Sequence, residues 1–358
     1  MTDPPQSKLS SRGGPILVIL GGGIAIFVAY AALLTALAWF KPADCHLSMD
    51  HPSLDQLAQL YANYQRGGSG LWELVFSAQP SCALPYFKRA LALHPKHAEA
   101  HLALAMVYAY ENETAPAIVH TAAAYVLGEP AGLLLETFQL QPSRSLSTTL
   151  ILDGLTWIAP TILDGPMVRM MSPHSADIWV RTRDSVQVTA LAEPSQTPGD
   201  PIRSDPVVST AKDDHVVILQ LNGLQADTLY TYWITIDGRR LPSGKTFRSF
   251  PEADTSSAFS IAFGGCSEYI PQNFRIYQTI ASRFPIAFLT LGDNAYIDAP
   301  TNPSLQRFAY DRLQADPRFA GLISSVSTSA IWDDHDFATD NSWGGPDLYF
   351  PTWKPVVW

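Results

Sequence analysis

Positive charge is scarce in this chain of 358 residues: 23 lysines and arginines stand against 33 aspartates and glutamates, a formal net charge of −10. Non-specific nucleic-acid binding draws on basic patches that release counterions, so the balance argues against that class of partner. It does not exclude a phosphate substrate, because a bound metal would bring local positive charge. Low-complexity tracts are absent, and the composition, 47% apolar, is ordinary for a folded protein. The length has room for two or three domains.

Charge is missing altogether from Pro15 to Phe40, and the run ILVILGGGIAIFVAYAALLTALAWF is long enough to span a bilayer core. Lys8 and Arg12 precede it. The positive-inside rule then places residues 1–14 in the cytoplasm as a short tail, 15–40 as a single transmembrane helix and the bulk of the chain outside. A cleaved signal peptide is the alternative, with Ala36-Leu37-Ala38 resembling a cleavage site, although the apolar region exceeds the usual length. Cysteine is also scarce, with three in the chain. Cys266 belongs with the metal-ligand candidates below. Cys45 and Cys82 remain, and they are either partners in an oxidising compartment or two partly buried free thiols.

Residues 41–142 read as helical. Leu54, Leu57, Leu60 and Tyr61 recur at helical spacing, as do Tyr86, Phe87, Ala90, Leu91 and Leu93. In YFKRALALHPKHAEAHLALAMVYAYENE, Phe87, Ala90 and Pro95 have the spacing that closes a tetratricopeptide repeat. Leu102, Ala103, Ala105, Met106 and Tyr108 open the next helix. The stretch resembles a tetratricopeptide-type hairpin able to bind a protein partner; a small helical bundle is the other reading. His94, His97 and His101 are separated by Pro95 and lack an accompanying carboxylate or cysteine motif, so they read as solvated side chains rather than a metal site. Residues 143–163 show no clear period and read as a linker with apolar anchoring near Trp157.

From 164 to 252 the pattern turns to short alternating runs: Ala176–Arg181, Val186–Leu191, His215–Leu221, Thr228–Ile236 and Lys245–Phe250, separated by turn formers. This predicts an antiparallel β-sandwich of immunoglobulin or fibronectin type. Leu224 and Tyr230 have the look of a tyrosine corner. From 253 to 358 strands alternate with helices, which predicts a parallel α/β sheet. A helix over Phe274, Ile276, Tyr277, Ile280 and Phe284 covers one face. A second, from Leu305 to Ile323, is broken by Pro317.

The chemistry collects at the ends of three strands in that last part. Phe259–Phe263 leads through two glycines to Cys266. Ile286–Leu291 leads through Gly292 to Asp293, with Tyr296 three residues on. Thr328–Trp332 leads into Asp333, Asp334, His335 and Asp336. Ligands bind at the carboxyl ends of strands in open α/β sheets, so all three groups are expected at one edge. Each carboxylate alone could be a helix cap and the thiol an inert buried one. Together, a thiol, carboxylates, a phenol and an imidazole suit a hydrolytic metal centre.

The motifs IAFGGCSEY, FLTLGDNAYID and IWDDHDFATDNSWG resemble the alkaline phosphatase D (PhoD-like) family of metallophosphoesterases. GPMVRMMSPHSADIWVRT resembles that family's amino-terminal sandwich domain. The resemblance covers roughly residues 160–358. It implies a hydrolase with two or more metal ions, iron plus calcium. Asp293 would bridge the metals, Cys266 and Tyr296 would bind the iron, and Asp334 would stand as a further metal ligand. His335 would be the acid that protonates the leaving oxygen. It names no substrate-binding residue. The family's later histidine motifs lie downstream of its first motifs, so a chain stopping at Trp358 is expected to carry a partial α/β domain, to be inactive by itself and to expose an apolar sheet edge. Two functions follow. One is a membrane-anchored, exported phosphomonoesterase or phosphodiesterase. The other is a non-catalytic, anchored interaction protein with helical partner-binding repeats and a degenerate phosphatase half.

Overall fold

The computed structural model describes residues 68–342 apart from 78, 142–143, 170, 198, 298–301 and 338–340. The expected tail, transmembrane helix and Cys45 lie outside the described residues, as does the chain from 343 to 358. Among the described residues no helix is long and apolar enough to cross a membrane. Cys82 is disulfide-bonded, whereas Cys266 is a free thiol.

Among the described residues six α-helices come first: α1 (Gly68–Val75), α2 (Leu84–Leu93), α3 (Ala98–Tyr110), α4 (Thr114–Val126), α5 (Ala131–Gln139) and α6 (Leu146–Ile158). Helix α3 is buried from Glu99 to Ala109, and α2, α4 and α6 pack around it. A helix apolar all round belongs in a core, and its alanines at 100, 103, 105 and 109 allow close neighbours. Of the three histidines expected to be solvated, only His94 is exposed. His97 caps α3, accepting from the Ala100 N–H at 3.2 Å. His101 is buried with its Nδ1 2.9 Å from Nδ1 of His120 on α4.

The linker expected at 143–163 is instead helix α6. Ser145 caps it by accepting from the Thr148 N–H at 3.0 Å. Its buried face is Ser147, Thr148, Ile151, Leu152 and Leu155, a helical period whose first turn is polar and therefore hard to see. Trp157 is no anchor: it stands 89% exposed.

Two antiparallel sheets follow. The first has the order β1 (Ile162–Arg169), β2 (Ser175–Thr182) and β6 (Val216–Asn222). The second joins β3 (Gln187–Pro194) and β7 (Leu229–Ile236), edged by the short β4 (Ile202–Arg203), β5 (Val207–Val208), β8 (Arg239–Arg240) and β9 (Lys245–Arg248). Inward residues of both sheets, among them Ile178, Leu219, Ala190, Tyr230 and Phe247, form one apolar cluster. The buried Tyr230 hydroxyl accepts from the Gln225 N–H at 2.7 Å.

The third sheet is parallel, in the order β10 (Ile261–Gly264), β11 (Ala287–Leu291) and β12 (Ser327–Ile331), and no strand of the antiparallel sheets pairs with it. Helices α7 (Arg275–Ala281) and α9 (Pro317–Ile323) cover one face through Phe274, Tyr277, Leu322 and Phe288. Ile276 and Phe284, expected on that face, point to solvent. Ile276 is a residue off the buried line of Phe274 and Tyr277, and Phe284 follows the helix end with φ +50°. Pro317 does break the long helix: Asp316 caps α9, and Pro317 takes its first position.

Helix α8 (Pro303–Ala315) ties these parts together. Its Leu305 and Phe308 belong to the helical core, with the Phe308 and Trp72 ring centroids 4.1 Å apart. Arg312 donates to Glu99 on α3 at 2.8 Å, and Trp72 donates to the same carboxylate at 2.5 Å. From the second antiparallel sheet, the buried Tyr232 hydroxyl donates to the Ser324 carbonyl after α9 at 2.7 Å.

Candidate metal centre

The carboxyl ends of β10, β11 and β12 lie side by side, because the strands are parallel and in register from Phe263 through Leu289 to Ser329. Two glycines let the loops that follow approach one another. A Cβ on Gly292, where φ is +100°, would lie 2.5 Å from Cβ of Asp333. A Cβ on Gly265 would lie 3.0 Å from the Gly292 carbonyl oxygen. Cys266 and Asp293 each take a left-handed backbone, φ +56° and +54°, uncommon for residues other than glycine. Such strain gathers where the surrounding structure requires an unusual side-chain direction. The Cys266 N–H donates to the Gly292 carbonyl at 3.3 Å, and the Ser267 N–H to the Asp293 carbonyl at 3.2 Å.

Asp293 is the centre of the group and is 6% exposed. Its Oδ2 accepts from the Tyr296 hydroxyl at 3.0 Å. Its Oδ1 is buried without a hydrogen-bond partner, an arrangement that costs free energy unless a cation or donor completes it. Asp293, Asp334 and His335 each offer an atom, all within 4.8 Å of one another. The Tyr296 ring stacks on His335, centroids 4.2 Å apart. Cys266 sits exposed beside this trio, next to Asp293 but outside the closest group. All five residues singled out from the sequence therefore meet at one edge of the sheet.

The electrostatics point the same way. Hydrogen bonding to Asp293 and its charge push the Cys266 thiol pKa up. Burial and then the Asp293 bond push the Tyr296 phenol up. For Asp334, slight desolvation is outweighed by N–H groups of Asn341 and His335, and the carboxyl pKa lies below its ordinary value. Several acids crowd together here; a metal would relieve that competition and lower the thiol and phenol pKa values. The unpartnered Asp293 oxygen and a donor set of thiol, phenol, carboxylates and imidazole fit a metal ion.

Two further residues, Asp336 and Asn294, hold the site in shape. Asp336, buried, accepts at Oδ1 from the N–H groups of Asn294 (2.7 Å) and Ala295 (3.1 Å) and from the Tyr310 hydroxyl (3.2 Å). At Oδ2 it accepts from the Asp333 N–H (3.0 Å) and from the Asn294 side chain (3.1 Å). Asn294 also donates to the Ile331 carbonyl at 2.9 Å. The β11 loop and the β12 loop are thus clamped through one carboxylate. The sequence signal was the last Asp of WDDHD, a position that chemistry alone does not separate from its neighbours.

Residues 159–254, the antiparallel sheets, match the family described as a domain of unknown function (DUF7800). Among curated proteins none matches the chain. Among solved structures, that of PhoD is 16% identical with a TM-score of 0.41, covering 49% of this chain and 40% of that one. Two structures of the sensor domain of the anti-sigma factor RsgI4 from Pseudobacteroides cellulosolvens are also similar. The shorter version of that domain is 12% identical, with a TM-score of 0.22, over 26% of this chain and 98% of that one. The longer version is 17% identical, with a TM-score of 0.22, over 27% of this chain and 95% of that one. The chain spans less than half the length of the PhoD structure it matches.

Proposed function

We propose that this protein is a metal-dependent hydrolase of phosphate esters, a phosphomonoesterase or phosphodiesterase, anchored in a membrane by residues 15–40 with the rest of the chain exported. The observation that carries the reading is Asp293 itself: its Oδ1 is buried and unpartnered, and one of its carboxylate oxygens lies within 4.8 Å of ligand atoms on Asp334 and His335. Cys266 and Tyr296 would hold an iron ion, Asp334 a calcium ion, and Asp293 both. When bound, the metals supply positive charge that polarises a phosphoryl oxygen and acidifies water. The chain supplies the geometry. Asp336 fixes the two loops, and Tyr296 holds the His335 ring by stacking. His335 delivers a proton to the leaving oxygen.

The test is metal content and turnover of the full-length protein. Asp293→Asn should lose both. His335→Ala should keep its metal and slow turnover by about 10²–10⁴-fold, least for esters whose leaving groups need no proton. If His335→Ala loses metal as readily as Asp293→Asn, His335 is a ligand and not the acid. If the protein retains no iron or calcium under any condition, the reading fails.

A second reading has one feature in its favour. Leu146, Leu150 and Trp157 form an exposed stripe along α6, three positions within a narrow angular range of a helix surface. Under this reading the helical region binds a protein partner and the metal site is incidental. Asp293→Asn would then leave partner binding untouched while Trp157→Ala weakened it.

A further inference from the structure

We propose that Glu136, Asp164 and Asp311 share a proton around Arg181, and that this proton locks the helical region, the first antiparallel sheet and α8 to one another. The four side chains come from four elements. Glu136 lies on α5, Asp164 on β1, Arg181 on β2 and Asp311 on α8, and all four are buried. One nitrogen, Nη2 of Arg181, faces all three carboxylates: Asp311 Oδ1 at 3.0 Å, with Asp164 and Glu136 closer still. That nitrogen carries two hydrogens and cannot satisfy three acceptors. The three carboxyl groups each place an oxygen within 4.8 Å of the others.

The charges do not balance without a proton. Fully ionised, the inner group holds three negative charges and one positive. Two further charged groups act on it, Arg307, also on α8, and Asp214, in the turn before β6. Arg307 Nη2 pairs with Asp214 Oδ2 at 2.5 Å near the surface, and its Nε stays 3.7 Å from Asp311 Oδ2. That Asp311 oxygen is buried with no hydrogen-bond partner. A carboxylic hydroxyl among these oxygens gives one acceptor its donor and removes one like charge; carboxylates this close do not all ionise. A metal ion would compete with the guanidinium already standing between them, so the proton is the cation that fits.

Burial, then the charges of Asp311 and Asp164, push Glu136 up to about 8 from the ordinary 4.5, against Arg181. Burial pushes Asp311 up to about 7. Asp164 moves in the same direction, also by burial. The folded chain therefore holds the proton more tightly than the unfolded chain. For Glu136 this stabilisation is complete below about 4.5 and is lost as pH climbs towards about 8.

The experiment uses the full-length protein in a Glu129→Gln background, because Glu129 is itself pushed up to about 8 by burial near Glu99. Infrared difference spectra between pH 6 and pH 9 should show the carbonyl stretch of a protonated carboxylic acid that disappears on going alkaline. Glu136→Gln should diminish it, and Glu136→Gln with Asp311→Asn should abolish it. Thermal midpoints of the parent should fall by several degrees over the same interval, and those of the double variant should fall by less. No protonated carboxyl at pH 6 in the parent overturns the proposal whether or not the variants fold. So does an unchanged carbonyl signal, or an unchanged pH dependence of the midpoint, in a folded double variant.

Discussion

Asp336 shows how one side chain can shape a site without being among its candidate ligands. Its two oxygens accept from five donors drawn from both loops of the candidate metal centre and from α8. Asp336→Asn keeps the size but turns an NH₂ group towards N–H donors. Metal affinity should fall about 10–100-fold, the usual worth of a residue that orients ligands, while the far-ultraviolet circular dichroism stays unchanged. Equal affinity in the variant would mean that the loops hold their shape without the clamp. The His101–His120 pair makes a separate case at the same scale. His101 Nε2 lies 3.1 Å from the Pro95 carbonyl, which can only accept, so that nitrogen carries the proton. Neutral His101 then accepts at Nδ1 from His120. Burial, with His101 and Lys88 adding, lowers the His120 pKa from 6.5 to about 3. The unfolded chain gains a proton as pH falls below 6.5 and the folded chain does not, so stability drops as pH falls, by at most about 1.4 kcal/mol per pH unit. Urea titrations at pH 7, 5 and 4 should show a shallower drop for His120→Asn, whose amide can still donate to His101. Parallel drops would refute the assignment.

Elements differ in how much of themselves they write into the sequence. Helix α3 was plain because its apolar run is long and opens after Pro95. Helix α6 was not, because Ser147 and Thr148 occupy its buried face and bond to Asn112 and Gln141 instead of packing as apolar residues do. Strand β1 was missed because Asp164, Gly165 and Pro166 interrupt its alternation, and its pairing with β2 is irregular there. The parallel pairing of β10, β11 and β12 is legible from length and rhythm. The candidate ligands at the strand ends stand out in the sequence because their chemistry is unusual; the partnership of Asp336 with Tyr310 does not, since only the fold brings α8 to the β12 loop. Three consecutive residues of α8 illustrate the point. Tyr310 reaches Asp336, Asp311 reaches Arg181, and Arg312 reaches Glu99. Contacts between elements set the stability of such a joint. Tyr232→Phe removes the hydroxyl that satisfies the buried Ser324 carbonyl, and should cost about 1–3 kcal/mol. The urea midpoint should move with the slope unchanged; a changed slope would show that the two regions no longer unfold together.

The whole molecule is unevenly covered. Its helical core and its antiparallel sheets close on themselves, but the parallel sheet is packed on one face only among the described residues. Ile261 and Phe263 on β10, Leu291 on β11 and Ile331 on β12 are exposed on the other, Phe263 at 70%. Register places Phe263 beside Leu289 and Leu291 beside Ile331, so the exposed side chains form a continuous patch across three strands. Parallel sheets ordinarily have both faces covered, because their strands are apolar on both sides. At one edge of the sheet β10 also pairs on one side only among the described residues, and such edges recruit other chains. An apolar patch of this kind favours self-association and binds hydrophobic dyes. The full-length protein should therefore enhance the fluorescence of such a dye under native conditions and associate as its concentration rises. Phe263→Lys with Ile331→Lys should lower both effects. Neither substitution touches the cluster of Phe274, Tyr277 and Leu322 on the opposite face, so the thermal midpoint should change little. Dye binding equal to that of the parent would locate the adhesive surface elsewhere, with the exposed stripe of Leu146, Leu150 and Trp157 on α6 as the next place to substitute.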